Sequence, residues 1–253
     1  MAKAQTAEKT ETESAGASQQ PLFFKEPHAV DAKRHAEAGL KKNVGYGFAK
    51  NTNSVPLTIH EMIEVARSYP IVFTAEETPM PLAVVGIKKE NVFIDSKGEW
   101  DAQHYIPGYV RKYPFALLEL PENEQFVLCM DEGSDHYQAK NPDMKLYENG
   151  EPTDFSKQAI DLCGMYHSQQ MATQDFGRLL KEQGLLEGKE MQAELPNGEK
   201  SKLAGFQLIS EDAWTKLPDE QFLKWREKNW LGLIYLVMAS QTNWRYLAQR
   251  EPV

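Results

Sequence analysis

Apolar and polar residues recur with changing periods along this chain, and the changes divide it into elements. In "VPLTIHEMIEVARSYP", Met62, Val65, Ala66 and Tyr69 stand at helical spacing. Thr58 and Glu61, three apart, form a capping box that predicts the helix start. Pro70 disfavours helical geometry at Tyr69 and predicts the stop. Short apolar runs then predict strands: "PIVF" at 70–73, followed by "LAVVGI" and "NVFID" as a hairpin across the polar "KKE". "FALLEL" and "FVLCMD" predict a second hairpin across "PENEQ", and "ENGEP" has the composition of a turn. Helical periodicity runs from about Phe155 to Gln183, with Ala172–Thr173 the place where a break would fall and Gly184 the stop. "EMQAELPNGEKSKLAGFQLIS" predicts a further hairpin, because Asn197-Gly198 tolerates the left-handed turn conformation. The chain closes on a helical stretch over 219–249, whose "WLGLIYLVMA" is apolar all round and so predicts burial on several sides.

The pattern predicts an α+β fold: a mixed or antiparallel sheet with several short hairpins, packed against a long C-terminal helix and a central helical block. Residues 1–20, "MAKAQTAEKTETESAGASQQ", carry few apolar side chains beyond Ala and cannot offset the entropy of ordering. They predict a disordered tail, dispensable for folding, ahead of a single domain over 21–253. The tail lacks an apolar signal core, so a cytoplasmic location is expected, with the cell surface reachable only by a signal-less route. "WLGLIYLVMA" is ten residues, against the roughly 20 that a helical span needs.

Composition narrows the function classes. A net charge of −9 and a pI near 5.3 argue against the concentrated basic face of a nucleic-acid binder. The two cysteines, Cys129 and Cys163, have no metal-ligand spacing and read as reduced, buried thiols. Nucleotide-binding glycine loops, a nucleophile elbow and the His-Glu-x-x-His zinc motif are all absent, and no cofactor is expected.

Three places remain as candidate chemistry. In "WDAQHYIPGYVRKYPF", Pro107 suits the start of a short helix, and Tyr105, Tyr109 and Tyr113 would align four apart as a ridge. Trp100 and this ridge read either as recognition hot spots or as aromatic core. Arg111 is a candidate anchor for a carboxylate. "MDEGSDH" places Asp131, Glu132 and Asp135 after an apolar strand, where loops commonly carry sites; a solvated junction is the plainer reading. A buried guanidinium needs a partner, so Arg111 is expected to reach Asp131. His28 and His35, seven apart with Asp31 between them, are weak candidates for a metal.

Several stretches together resemble the SapC family: "NVFIDSKGEWD" at 91–101, "YIPGYVRKYPF" at 105–115, "LCMDEGSD" at 128–135, "YENGEPT" at 147–153, "LAGFQLISED" at 203–212 and "NWLGLIYLVMASQTN" at 229–243. The likeness runs from about Pro21 to Gln249. It concerns the bacterial surface-layer-associated proteins, not the transporter permease of the same name. The resemblance implies an accessory role in peptide or nutrient handling near the envelope and assigns no catalytic residues. Two functions follow. The first is a soluble, non-enzymatic binding or accessory protein that recognises a protein or peptide partner, with homo-oligomerisation left open. The alternative is an enzyme or enzyme accessory, metal dependence included, acting with a cupin-like or flavin halogenase-like partner from a site around Arg111 and Asp131.

Overall fold

The capping box forms as expected, but the helix behind it is short. The computed structural model describes residues 21–120 and 125–251, so the expectations for the tail and for the turn at 121–124 lie outside the described residues. Strands β1 (Pro27–Ala29), β2 (Gly39–Leu40) and β3 (Ser54–Pro56) precede a 3-10 turn at Ile59–Glu61 and helix α1 (Met62–Val65). Thr58 N–H donates to Glu61 Oε1 at 2.8 Å, closing the box. Met62, Val65 and Tyr69 are buried on one side, as their spacing requires.

Strands β4 (Ile71–Thr74) and β5 (Pro81–Val84) follow, then helix α2 (Gly108–Arg111) and the hairpin β6 (Phe115–Leu120) and β7 (Gln125–Asp131). Four two-residue strands come next: β8 (Tyr137–Gln138), β9 (Met144–Lys145), β10 (Tyr147–Glu148) and β11 (Glu151–Pro152). Asn149 and Gly150, both at positive φ, make the turn of the β10–β11 pair that "ENGEP" predicts. Helix α3 (Asp154–Glu182), strands β12 (Leu186–Glu194) and β13 (Lys200–Ile209), and helices α4 (Glu211–Thr215), α5 (Asp219–Glu227), α6 (Leu231–Ser240) and α7 (Trp244–Arg250) complete the chain.

The architecture is α+β with antiparallel sheets. The largest has strand order β12-β13-β4-β5-β3, and a second has order β1-β7-β6. "NVFID" does not form the strand its composition predicts. Both edges of β5 are already taken, by β4 and by β3, so no ladder is left for it. The segment instead donates from Asn91 N–H to Lys50 O and from Val92 N–H to Val85 O, while Phe93 and Ile94 still reach the core.

Helix α3 links the two main apolar clusters. Its first half sends Ala159 and Cys163 against Phe115, Leu128 and Met130 of the β6–β7 sheet. Its second half sends Phe176 and Leu180 into the larger cluster with Ile71, Phe73 and Trp225. The break that was expected at Ala172–Thr173 is not there. The Thr173 hydroxyl donates back to Gln169 O at 2.7 Å and accepts Ile59 N–H at 3.0 Å, so this residue pins the helix to the 3-10 turn. The end does fall at Gly184, at φ +64, with Leu185 N–H bonded to Leu180 O and Gly184 N–H to Lys181 O.

The same device divides the C-terminal helical stretch. Asn229 adopts φ 57, Trp230 N–H donates to Trp225 O and Asn229 N–H to Arg226 O, so α5 and α6 are separate helices. Apolar composition around α6 does not translate into burial on all sides. Ile234, Val237 and Ser240 are buried, Leu233 is half-buried and Tyr235 is 54% exposed. Among the described residues no helix is long and apolar enough to cross a membrane.

Candidate functional site

The aromatic stretch is built around Glu61. Besides capping α1, this buried carboxylate accepts Gly108 N–H at 2.6 Å and the Tyr105 hydroxyl at 3.3 Å, joining the two short helices. Trp100 is buried, and its indole N–H donates to the Tyr69 hydroxyl at 3.1 Å; that hydroxyl donates to Tyr105 O at 2.7 Å. The tyrosine ridge does not form, because α2 covers only Gly108–Arg111 and Tyr105 and Tyr113 lie outside it. Tyr109 packs against Phe23 and Tyr166, whereas Tyr113 packs against Phe24, Phe48 and His136.

Arg111 and Asp131 are not partners. The Arg111 guanidinium is exposed, lies 5.3 Å from the Tyr105 ring centre, and donates to the Tyr105 hydroxyl at 2.7 Å and to Ile106 O at 3.0 Å. Asp131 is fully buried at the end of β7 and is filled by other donors. It accepts the Tyr113 hydroxyl and Glu26 N–H, each at 2.7 Å, and Lys25 and Gly133 N–H, each at 3.1 Å. A carboxylate satisfied by four nearby donors needs no guanidinium, so the expected ion pair is replaced by a hydrogen-bonded anchor for the segment before β1. The acidic cluster is likewise dispersed, with Asp131 buried, Glu132 half-buried and Asp135 exposed.

The weak metal set fails on geometry. Asp31 spends its carboxylate on Lys33 and Arg34 N–H, both at 2.9 Å. His35 is buried. Its Nδ1 accepts Asp31 N–H at 3.0 Å, which places the proton on Nε2, 3.1 Å from Glu132 Oε1. Glu132 also receives Arg34 through a forked pair at 2.7 and 3.0 Å, and Arg34 and then His35 hold its carboxyl below the usual carboxylate range. His28 lies on β1 opposite Met130. Among the described residues no group of three His, Cys, Asp or Glu is placed to hold a metal.

Lys112 is the residue that the sequence did not single out. Next to Arg111 in a surface-looking Arg-Lys pair, it turns inward and is 6% exposed. Its Nζ lies 4.5 Å from the Tyr109 ring centre and 5.4 Å from those of Phe24 and Tyr166. It donates one long hydrogen bond, 3.4 Å to Phe115 O, and among the described residues no carboxylate pairs with it. Burial pushes this ammonium down to about 8, opposed by Cys163 beside it. The same burial pushes the Cys163 thiol up to about 11 and the Tyr166 phenol well above its usual value. These residues line a cavity of about 200 Å³ together with Tyr109, His167 and Gln170. Cys129 and Cys163 are both free and buried.

A lysine titrating near 8 in the fold and near 10.5 in the unfolded chain makes stability depend on pH. Between those values the unfolded state binds more protons, so stability rises with pH through that window. The parent is therefore expected to gain on Lys112→Met between pH 7 and pH 10, measured as urea midpoints. A difference that stays constant with pH would place Nζ in water.

A family model described as SapC matches residues 30–247. No curated protein and no solved structure matches the chain.

Proposed function

Because the chain belongs to the SapC family, we propose that it is a binding or accessory protein, non-enzymatic, that recognises a protein or peptide partner. The observation that carries this reading is where the ionisable candidates sit: Asp131, Glu132, His35 and Arg111 are each engaged within the fold rather than converging on one cleft. The alternative site around Arg111 and Asp131 therefore loses its geometric support.

The outward face of α3 supplies a surface of the matching kind. Ile160, His167 and Met171 are seven and four residues apart and fall along one side of the helix, over about 16 Å. Ile160 is 43% and Met171 50% exposed, and the Phe126 ring, 44% exposed, lies 4.4 Å from the His167 ring. An apolar strip bordering a small aromatic-walled cavity has the anatomy of a recognition hot spot. The envelope or nutrient-uptake setting is what family membership suggests. The test is affinity capture from the source cell with the parent and with Ile160→Glu/Met171→Glu, followed by titration of the purified partner. Both positions are exposed, so folding should be kept. Binding weakened by roughly tenfold or more in the variant supports the reading; equal retention by both chains, or none by either, overturns it.

A further inference from the structure

We propose that Lys112 is a carbonyl-capturing amine, its Nζ condensing with a small aldehyde or ketone admitted to the cavity beside α2, β6 and α3. Buried lysines that serve only the fold are normally paired with a carboxylate. This one sits among three aromatic rings, with a single long hydrogen bond to Phe115 O and no carboxylate among the described residues. Burial disfavours the ammonium, partly offset by cation–π attraction to the three rings. With the group held near 8, a minor neutral fraction is present at neutral pH as the nucleophile toward carbonyl groups. The neighbours are held un-ionised by the same burial. The Cys163 thiol, pushed up to about 11, is a poor nucleophile at neutral pH, so nitrogen rather than sulfur is the attacking atom. The Tyr166 ring lines the same cavity, and burial keeps its phenol protonated, so water supplies the proton transfers of the condensation.

The step balances without an oxidant or reductant. The nitrogen lone pair forms a C–N bond with the carbonyl carbon, and the carbonyl oxygen takes up a proton. The C–O bond then breaks, and the oxygen leaves as water with both amine protons, giving an imine. A space of about 200 Å³, at roughly 30 Å³ per water-sized atom, admits a carbonyl compound of roughly six heavy atoms. The ligand class is thus a short aliphatic aldehyde or ketone. The cavity shares His167 with the docking face, but the two readings are tested apart, since replacements at Ile160 and Met171 leave Lys112 in place.

The experiment treats the full chain with glycolaldehyde and sodium cyanoborohydride at pH 7 and maps alkylated lysines by mass spectrometry over time. Lys112 is expected to be modified roughly tenfold or more faster than exposed Lys157 and Lys216, because its neutral fraction is higher. Leu117→Trp, which fills part of the cavity that Leu117 lines, is expected to slow Lys112 without changing the exposed lysines. Modification of Lys112 no faster than that of Lys157 and Lys216, or none at all, overturns the proposal. So does an unchanged Lys112 rate in Leu117→Trp if its circular dichroism matches the parent.

Discussion

Asp131→Ala is expected to destabilise the chain by roughly 3–5 kcal/mol, a large fraction of a typical margin of about 5–15 kcal/mol. The carboxylate is fully buried, and its removal leaves the Tyr113 hydroxyl and the N–H groups of Lys25, Glu26 and Gly133 without their acceptor. Hydrogen bonds to a charged group contribute about 1.5–3 kcal/mol each net of exchange with water, and losses at donors sharing one acceptor do not simply add. The consequence is local as well as global. Lys25 and Glu26 lead into β1 and follow Phe23 and Phe24, so their release also loosens one wall of the ring cage around Lys112. Tyr113→Phe removes one donor and is expected to cost about 1–2 kcal/mol. Urea unfolding of both variants and of the double Tyr113→Phe/Asp131→Ala separates the terms. Additive losses would mean that the hydroxyl and the carboxylate do not act together.

Ile234→Asp is expected to lower stability by about 4 kcal/mol or more, and Leu233→Asp by about 1–2 kcal/mol. The two are neighbours of nearly identical chemistry, and α6 turns them to different surroundings. Ile234 is fully buried in the main cluster near Val237, whereas Leu233 is half-buried. The helix is held in that orientation at its end, where the Ser240 hydroxyl accepts Ile71 N–H at 3.0 Å and the Gln241 amide donates to Ile71 O at 2.8 Å. A carboxylate at 234 cannot reach water without prising α6 from β4. Thermal unfolding of the two variants gives the comparison, and equal melting temperatures would show the buried face to be misassigned.

The devices legible in the sequence are local ones. The capping box at Thr58 and Glu61, the Gly184 stop and the Asn197-Gly198 hairpin each involve residues within a few positions of each other, and each is found in place. The "FALLEL" and "FVLCMD" hairpin likewise pairs Phe115 with Met130 and Leu117 with Leu128. Failures come where a local preference meets a nonlocal constraint. "NVFID" has strand composition, but both edges of its expected partner β5 are taken, and Thr173 looks like a helix interruption until Ile59 is seen to use its hydroxyl. Asn229 ends α5 through a left-handed conformation that its composition permits but does not demand.

The candidate site followed the same division. Residue type alone made Arg111 and Asp131 plausible partners, but the pairing of charges across a fold depends on which donors arrive first in space. For Asp131 these are three backbone N–H groups and a tyrosine hydroxyl, from segments 18 to 106 residues away as well as its own loop. Lys112 had no sequence signal, because burial of a lysine is a property of the rings around it, drawn here from positions 24, 109 and 166. The sequence by itself determined the α+β class, most of the turns and caps, and the family, since these rest on periodicity, near-neighbour hydrogen bonding and motif order. The tertiary structure alone decided which edges were free to pair, which charges were satisfied and which amine was desolvated, because each is set by groups that only folding brings together.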